Sequence, residues 1–495
     1  MKRFLVVLFV LITVFSFSNV LRFAIETEPV GLDPNLVTAF ASHRTLENVY
    51  DGLLRYDTEM NLVPDLAKDY ETPDPYTVIF TLRDNVYFHN GEKMTVEDVL
   101  FTFDRIRDPD FGSPAASYYE NVTSIEAIGD NKVEFKLSTP MVNTLLHNFA
   151  GVNSSIVSKE FVESGANMQV ETNGTGPFEI TAYVSGDHIT LTKNDKYFIE
   201  GLPRLDEIVF VIIPEEVSRV SALRNGDVDL ATINEPLSLD MLSKDRFTVY
   251  RQPVLSYYLL GINNESGPLS DPRVRRALSY AVDREQIIKA VSFGEGSVTG
   301  IMNPTVKAWA IPPSEFPEYE YDPHKATMLL EEAGYPDGFE FSITTASRYN
   351  FDKIAQVIQA QLSIIGVKVK IDLVEWGIFI NKWINIDFES FISLNSGSVS
   401  PDLQLYRTFH TEGSTNKFNF SNEKVDELLE EGRRVTDYEE RKDIYNELQK
   451  ILVDQSPILF LYSPNILFAS SNAVTGFETM SNESLISLRF TEKSK

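Results

Sequence analysis

The feature of the sequence that most constrains the fold is an alternation of strand-like and helix-like segments along the whole chain. Lys132–Leu137 alternates apolar and polar residues as a half-buried strand does, and residues 207–213 form the continuous apolar run of a buried strand. Asp271-Pro272 and Asp322-Pro323 each open a helix, with aspartate as N-cap and proline in the first turn. Ser421, and Asp437 with Glu440, are predicted to start two more amphipathic helices near the end of the chain. This alternation predicts α/β layers. Because no low-complexity linker interrupts it, we expect lobes joined by crossing strands, not by a flexible tether.

Residues 1–20 are predicted to be a secretory signal peptide. Lys2 and Arg3 precede a predominantly apolar run over residues 4–17, and Ser18 and Asn19 follow it. The run is shorter than the roughly 20 apolar residues that a membrane-spanning helix needs. The chain also has no cysteine, the residue that carries the lipid of a bacterial lipoprotein. We therefore expect an exported, periplasmic protein without a stable membrane anchor.

The charge balance excludes several classes of partner. The 495 residues include 72 acidic and 44 basic side chains, which gives a formal net charge of −28. A nucleic-acid partner needs clustered lysine and arginine to neutralise phosphates, so no nucleic acid is expected to bind. Anionic membrane surfaces are disfavoured for the same reason. The absence of cysteine excludes disulfides, thiolate metal sites and cysteine catalysis.

The residues that enzymes use are present but not arranged as a catalytic site. No two of the six histidines lie within five positions of each other, so a helical metal pair is absent. The segment Gly296-Ser297-Val298-Thr299-Gly300 has its serine out of place for a nucleophile elbow. We predict no enzyme, no metal site and no cofactor, with a secreted enzyme on the same scaffold as the alternative. The histidines are His43, His89, His147, His188, His324 and His410.

After residue 20, a series of motifs spans nearly the whole chain. These motifs, and their order, resemble those of the family 5 periplasmic solute-binding proteins of ABC importers, the oligopeptide, dipeptide and nickel class. Two long blocks carry most of the resemblance, FHNGEKMTVEDV at 88–99 and DPRVRRALSYAVDR at 271–284. The shorter blocks are LDP at 32–34, NVYDGL at 48–53, PDLA at 64–67, GTGPF at 174–178, LRNGDVD at 223–229 and AGYPDGF at 333–339.

The resemblance implies a type II-like periplasmic binding protein of α/β class, with two lobes that close on a ligand by hinge rotation. Lobe I would be discontinuous and comprise residues 21–41, 175–261 and 466–495. A family-specific extra domain would occupy residues 42–174 and pack on lobe I, and lobe II would occupy residues 262–465. The hinge is expected where the chain crosses near Thr175 and Tyr257.

The resemblance also suggests residues for one end of the ligand site. Arg348 lies in a Ser-Arg-Tyr-Asn stretch between a strand and a helix, where dipeptide-binding members carry an arginine that pairs with the peptide carboxylate. A guanidinium suits that role because it offers a planar, bidentate fork. Trp376, in Val-Glu-Trp-Gly, is expected to be either a pocket wall or a core residue. Tyr257, Thr175 and Phe40 complete this part of the predicted set.

The other end of the site departs from the family pattern. Peptide-binding members have Gly-Trp-x-x-Asp ahead of Pro-Asp, and that first aspartate neutralises the peptide amine. Here Pro401-Asp402 is retained, but Asn395 replaces the tryptophan, and the aspartate position falls on Ser398, or on Val399 with a shifted gap. Asn395, Ser396 and Ser398 are neutral hydrogen-bonding residues that suit amides or hydroxyls. An acid elsewhere, such as Glu375 or Asp402, is the alternative source of the charge, although Asp402 is expected to cap the following helix.

These observations predict a monomeric receptor that captures a small solute and delivers it to an inner-membrane ABC permease. A short peptide or peptide-like molecule is the first expectation, because of Arg348 and Trp376. An oligosaccharide is the alternative, because the acidic anchor at Ser398 is missing.

Overall fold

The computed structural model describes residues 19–494. The predicted signal peptide therefore lies outside the described residues, apart from Asn19 and Val20. Val20 is already the first residue of a strand, so a signal ending at residue 20 would remove one residue of the sheet. Among the helices of residues 19–494, none combines the length and the apolar character that a bilayer crossing requires.

Within the described part of the chain, twenty strands form four sheets. In chain order they are β1 (Val20–Ile25), β2 (Leu54–Tyr56), β3 (Leu62–Pro64), β4 (Ala67–Asp74), β5 (Thr77–Leu82), β6 (Val122–Ile128), β7 (Lys132–Leu137), β8 (Phe178–Val184), β9 (His188–Lys193), β10 (Glu207–Ile212), β11 (Leu230–Ile233), β12 (Phe247–Pro253), β13 (Tyr257–Ile262), β14 (Gly296–Val298), β15 (Glu340–Thr345), β16 (Lys368–Leu373), β17 (Ser390–Asn395), β18 (Ile458–Ser471), β19 (Val474–Thr475) and β20 (Glu492–Lys493).

Helices alternate with these strands, as the sequence pattern predicts. They are α1 (Phe40–Leu46), α2 (Val96–Arg107), α3 (Val142–Asn148), α4 (Lys159–Glu163), α5 (Glu216–Asn225), α6 (Pro272–Ala281), α7 (Arg284–Ser292), α8 (Pro323–Glu332), α9 (Phe351–Ser363), α10 (Trp376–Asn385), α11 (Arg407–Phe409), α12 (Glu423–Arg434) and α13 (Tyr438–Gln455).

One sheet of twelve strands runs through the structure. Its order is β16-β15-β17-β13-β18-β11-β1-β10-β9-β8, and β12 and β14 also pair with β18. The 14-residue β18 belongs to both halves of this sheet. Residues 458–462 of β18 pair with β13, and residues 465–471 pair with β12. The two halves are therefore joined by hydrogen-bonded strands, as expected from the lack of a linker.

A separate four-stranded antiparallel sheet, β4-β5-β7-β6, falls within the segment 42–174. Its own core is a cluster of aromatic rings that includes Phe80, Phe103, Phe135 and Phe149, with centroids between 4.8 and 5.8 Å apart. Edge-to-face packing of this kind adds to the free energy of burial. The segment thus has a hydrophobic core distinct from that of the large sheet.

Local capping signals explain where the helices begin. The backbone N–H of Thr95 donates to the Asp98 carboxylate at 2.8 Å, as a capping box requires. Asp271, Asp322 and Asp437 accept backbone N–H groups at the starts of α6, α8 and α13, as predicted. The prediction that Ser421 starts α12 is wrong by one residue. Asn422 is the N-cap, and its side chain accepts from the N–H of Val425.

The C-terminal segment after β18 is fixed to α1 by the half-buried Glu47. The Glu47 carboxylate accepts hydrogen bonds from the Ser484 hydroxyl, at 2.6 Å, and from the N–H of Leu485. Nearby, the buried Arg489 lies 3.4 Å from the Asp51 carboxylate. Burial raises the pKa of Glu47 to about 7, although these hydrogen bonds and the neighbouring arginines oppose the shift. Glu47 is therefore protonated below neutral pH in the folded state.

This shift predicts that Glu47 contributes stability at low pH and loses it as pH rises. The folded-state pKa is about 7 against 4.5 for the ordinary group, so the contribution is complete below about pH 4.5 and gone above about pH 7. When the pH rises from 5 to 8, the free energy of unfolding should fall by up to about 3 kcal/mol more in the wild type than in Glu47→Gln. Urea unfolding at both pH values measures the difference, with the exposed Glu235→Gln as matched control. An identical pH dependence in wild type and Glu47→Gln would contradict this assignment.

Candidate functional site

Three adjacent parallel strands end at the same edge of the large sheet. β15 pairs in parallel with β16 on one side and with β17 on the other. Thr345 lies opposite Leu373 in the first ladder, and Thr344 lies opposite Phe391 in the second. In open α/β sheets, ligands bind outside the carboxyl ends of the strands. The residues just beyond these positions are therefore candidates for ligand contact.

Arg348 and Trp376 meet at this edge. Each lies three residues beyond the paired positions Thr345 and Leu373, and the Arg348 Cζ is 4.8 Å from the centroid of the Trp376 ring. The guanidinium also lies 4.9 Å from the Tyr349 ring centroid. Arg348 is exposed, and no carboxylate of residues 19–494 forms an ion pair with it. The two residues predicted as one end of the site are thus brought together, with the guanidinium positioned by aromatic faces.

Trp376 is both a wall and part of the core. It stacks on Phe379 with ring centroids 5.4 Å apart and planes 12° from parallel, and it is half-buried. Glu375, considered as an alternative anchor for an amine, caps α10 instead. Its carboxylate accepts the N–H of Gly377 at 2.7 Å. This carboxylate is therefore already engaged at the start of the helix that carries Trp376.

The loop after β17 is held tightly. Gly397 packs on the Leu255 carbonyl so closely that an added Cβ would lie 2.1 Å from that oxygen. The backbone N–H of Ser398 donates to the Gln404 side-chain oxygen at 3.0 Å, and the Ser398 hydroxyl oxygen accepts the N–H of Ser400 at 3.1 Å. These contacts fix the position of Ser398, the residue that stands where an aspartate is expected.

Two neighbours of Ser398 are fixed by other contacts. Asn395 ends β17, and its Oδ1 accepts from the Ser393 hydroxyl at 2.9 Å. The carbonyl of Ser396 accepts a hydrogen bond from the Arg407 guanidinium. The predicted group Asn395, Ser396 and Ser398 is therefore continuous with the sheet edge that carries Arg348.

A cavity of about 670 Å³ adjoins Ser398. Its walls come from two parts of the chain, the segment 42–174 and the segment that follows β17. The first wall includes Tyr118, His147, Asn148 and residues 151–154, and the second includes Ser398, Asp402, Leu403, Tyr406, Arg407, Glu412, Ser414 and Arg433. Sequence reasoning identified Ser398 in this cavity but missed Tyr118, Arg407 and Arg433. No local pattern marks those three residues, because only the packing of distant segments brings them together.

Asp402 links the two walls. It is buried, its Oδ1 lies 2.6 Å from Arg433 Nε, and its other oxygen accepts a hydrogen bond from the Thr144 hydroxyl in α3. Nearby, the Asn143 side chain donates to the Val435 carbonyl at 2.7 Å. The expectation that Asp402 caps the following helix is wrong. Asp402 lies inside the first turn, and its carboxylate is directed away from the helix toward Arg433 and Thr144.

His147 in the cavity wall is neutral. Its Nδ1 is 2.8 Å from the Tyr56 hydroxyl, and burial, with a smaller effect of Arg441, lowers the pKa of His147 to about 3. Across residues 19–494, the structure shows no group of three or more histidine, aspartate or glutamate side chains that could hold a metal ion.

A second cavity, of about 440 Å³, lies where the two halves of the large sheet meet. Phe40 lines it and is 61% exposed, which is unusual for a large apolar side chain. Arg44 lines it as well and forms an ion pair of 2.6 Å with Glu483. Leu394, directly before Asn395, forms part of the opposite wall. Phe40 is thus placed in the same cleft as the end of β17.

The remaining two predicted residues are buried. Tyr257 lies opposite Asn395 in the sheet and packs on Phe460 with centroids 4.9 Å apart, and burial raises the pKa of its hydroxyl. Thr175 donates to the Asp51 carboxylate at 3.1 Å. Neither residue lines either of the two cavities.

Comparisons with known proteins agree with the fold. The family model described as "Bacterial extracellular solute-binding proteins, family 5 Middle" matches residues 61–417. The chain is 30% identical to the oligopeptide-binding protein AppA of Bacillus subtilis, over 88% of this chain and 84% of the relative.

Two solved structures extend the comparison. HbpA2 from Haemophilus parasuis superposes with a TM-score of 0.88 at 25% identity, covering 96% of this chain and 100% of the other. The periplasmic binding protein DppA from Helicobacter pylori, in complex with the peptide STSA, has a TM-score of 0.72 at 28% identity, with 97% and 99% covered. The resemblance and the α/β periplasmic-binding-protein architecture expected from the sequence are confirmed.

The position of Asp402 predicts that it stabilises the contact between the two cavity walls. Asp402→Asn removes the acidic partner of the half-buried Arg433 guanidinium and should cost about 2 kcal/mol, because that charge is left without a partner. Thr144→Val removes the hydrogen bond between the walls but leaves the pair with Arg433, and should cost about 1 kcal/mol. Urea unfolding measures both losses, and small-angle X-ray scattering should show a larger radius of gyration in each variant. Unchanged stability and scattering in Asp402→Asn would show that the contact is not stabilising.

Proposed function

We propose that this chain, which belongs to the bacterial extracellular solute-binding proteins of family 5, captures a short peptide or peptide-like solute between two lobes and delivers it to an ABC permease. The observation that carries the proposal is the Arg348 guanidinium, positioned over Trp376 at the sheet edge without an acidic partner among the described residues. A carboxylate is the ligand group that such a guanidinium binds best.

The relatives support a peptide-like solute. AppA of Bacillus subtilis is named as an oligopeptide-binding protein, and the solved DppA complex contains a peptide. Both resemble this chain over most of its length, so a solute with a terminal carboxylate is the simplest common requirement.

The proposed mechanism is closure of two lobes about crossing strands. We assign residues 21–41, 175–261 and 466–495 to lobe I, residues 42–174 to the extra domain, and residues 262–465 to lobe II. β18 supports this division, since its two halves pair with different strands. Pro253 in β12 lies opposite Asn465, next to Pro464 in β18. A proline cannot donate to a sheet ladder, so the pairing is weakest at this crossing, where a hinge is expected.

In this mechanism the solute shifts an existing equilibrium between open and closed states. It does so because only the closed state lets both lobes contact it. The hydrogen bond from Thr144 to Asp402 joins the two cavity walls in the state that the structure describes. The protein would bind and release its solute unchanged, as a monomer in the periplasm after removal of the signal peptide.

The proposal predicts that Arg348 recognises a carboxylate. Calorimetric titration with alanyl-phenylalanine should give a measurable affinity, and the C-terminal amide of the same dipeptide should bind at least tenfold more weakly. Arg348→Gln should abolish that difference, and Arg348→Lys should restore part of it. The exposed Arg204→Gln, in which the ion pair with Glu492 is lost, is the matched control. Equal binding of acid and amide, or a neutral glycan co-purifying with the protein, would contradict the proposal.

A further inference from the structure

Arg407 is a second guanidinium at the site, at the end where a peptide amine is expected. It begins α11 and donates to the carbonyl of Ser396, directly after β17. Arg407 lines the 670 Å³ cavity and is half-buried, and its Nε is buried without a hydrogen-bond partner. No carboxylate of residues 19–494 forms an ion pair with it. A half-buried cation in this state favours an anion beside it.

The neighbours of Arg407 present donors to the cavity. The Ser398 oxygen already accepts a backbone N–H, so its hydroxyl hydrogen is available to donate. This end of the cavity therefore offers a guanidinium and a hydroxyl to a ligand. An ammonium group needs acceptors instead, so the polarity is opposite to that of an amine site.

The acidic groups that face the cavity do not neutralise Arg407. The Asp402 carboxylate is paired with Arg433 and bonded to Thr144. Glu412 lines the cavity from an exposed loop, where water screens its charge. The buried Tyr257 hydroxyl stays neutral, because burial raises its pKa. The half-buried charge that a ligand would meet at this end is thus positive.

We propose that the solute carries a second carboxylate, which binds Arg407 while its first binds Arg348. The solute would be a diacid of peptide-like shape whose amino end is acylated by an acid-bearing group, without a free ammonium. This inference rests on the proposed function, since it assumes that Arg348 holds one end of the same molecule.

Three dipeptide probes that differ only at the amino end test the inference. They are alanyl-phenylalanine, N-acetyl-alanyl-phenylalanine and N-succinyl-alanyl-phenylalanine, whose amino ends carry a positive, a neutral and a negative charge. Calorimetric titration of the mature protein should rank succinyl first, acetyl second and the free amine last. We expect about a tenfold difference between succinyl and acetyl, the effect of one charge-assisted hydrogen bond.

Variants assign that preference to Arg407. Arg407→Gln should remove the difference between the succinyl and acetyl probes, and Arg407→Lys should keep part of it. Thermal unfolding checks that each variant is folded, because Arg407 also bonds to Ser396. The exposed Arg204→Gln should leave the ranking unchanged. Glu412→Gln tests the competing role, since an amine site at Glu412 would lose free alanyl-phenylalanine binding in this variant.

The outcomes separate the two proposals. Succinyl preference that disappears in Arg407→Gln supports the diacid. Equal or tighter binding of the free amine, or a preference that persists in Arg407→Gln, overturns the diacid and leaves a peptide receptor. Failure of all three probes to bind overturns the peptide-like function, and the diacid with it.

Discussion

The continuity of β18 is the constraint on which the rest of the molecule depends. Its first half is hydrogen-bonded to β13 and its second half to β12 and β11, so the two halves of the large sheet share one strand. Ladder hydrogen bonds fix the register on each side and leave only the crossing free to bend. The cleft therefore has walls that are rigid internally and joined at a known place. A tethered pair of domains would not position a ligand so reproducibly.

Register within the sheet places the site. Arg348 and Trp376 follow β15 and β16 at equal distances from paired residues, and Asn395 ends β17 on the other side of β15. Each side chain is supported from behind, as the stacking of Trp376 on Phe379 illustrates. Rigid elements of this kind lower the conformational entropy that the protein itself would lose when a ligand binds. Arg348 and Trp376 are thus preorganised at this edge.

Charge distribution in the cleft differs from that of the chain as a whole. The protein has 28 more acidic than basic groups, yet Arg348 and Arg407 lack acidic partners among the described residues. In contrast, the acid Asp402 is buried against Arg433 and a hydroxyl from the opposite wall. Asp402 therefore supports structure, whereas Arg348 and Arg407 are left without an acidic partner among residues 19–494. In so acidic a chain, two such guanidinium groups are the basis for proposing a solute that carries carboxylates.

The sequence by itself determined the α/β class, the helix starts at Asp271, Asp322 and Asp437, and the family, because these depend on local spacing and on motifs read in order. It also identified Arg348 and Trp376, since both lie in a short stretch with a recognisable pattern. Only the tertiary structure decided that Asp402 joins two walls, that Tyr257 is buried and that Arg407 faces the cavity. The physical reason is that burial and ion pairing depend on residues hundreds of positions apart, such as Thr144 and Asp402. The local spacing of residues does not show which distant side chain will pair with a buried charged group.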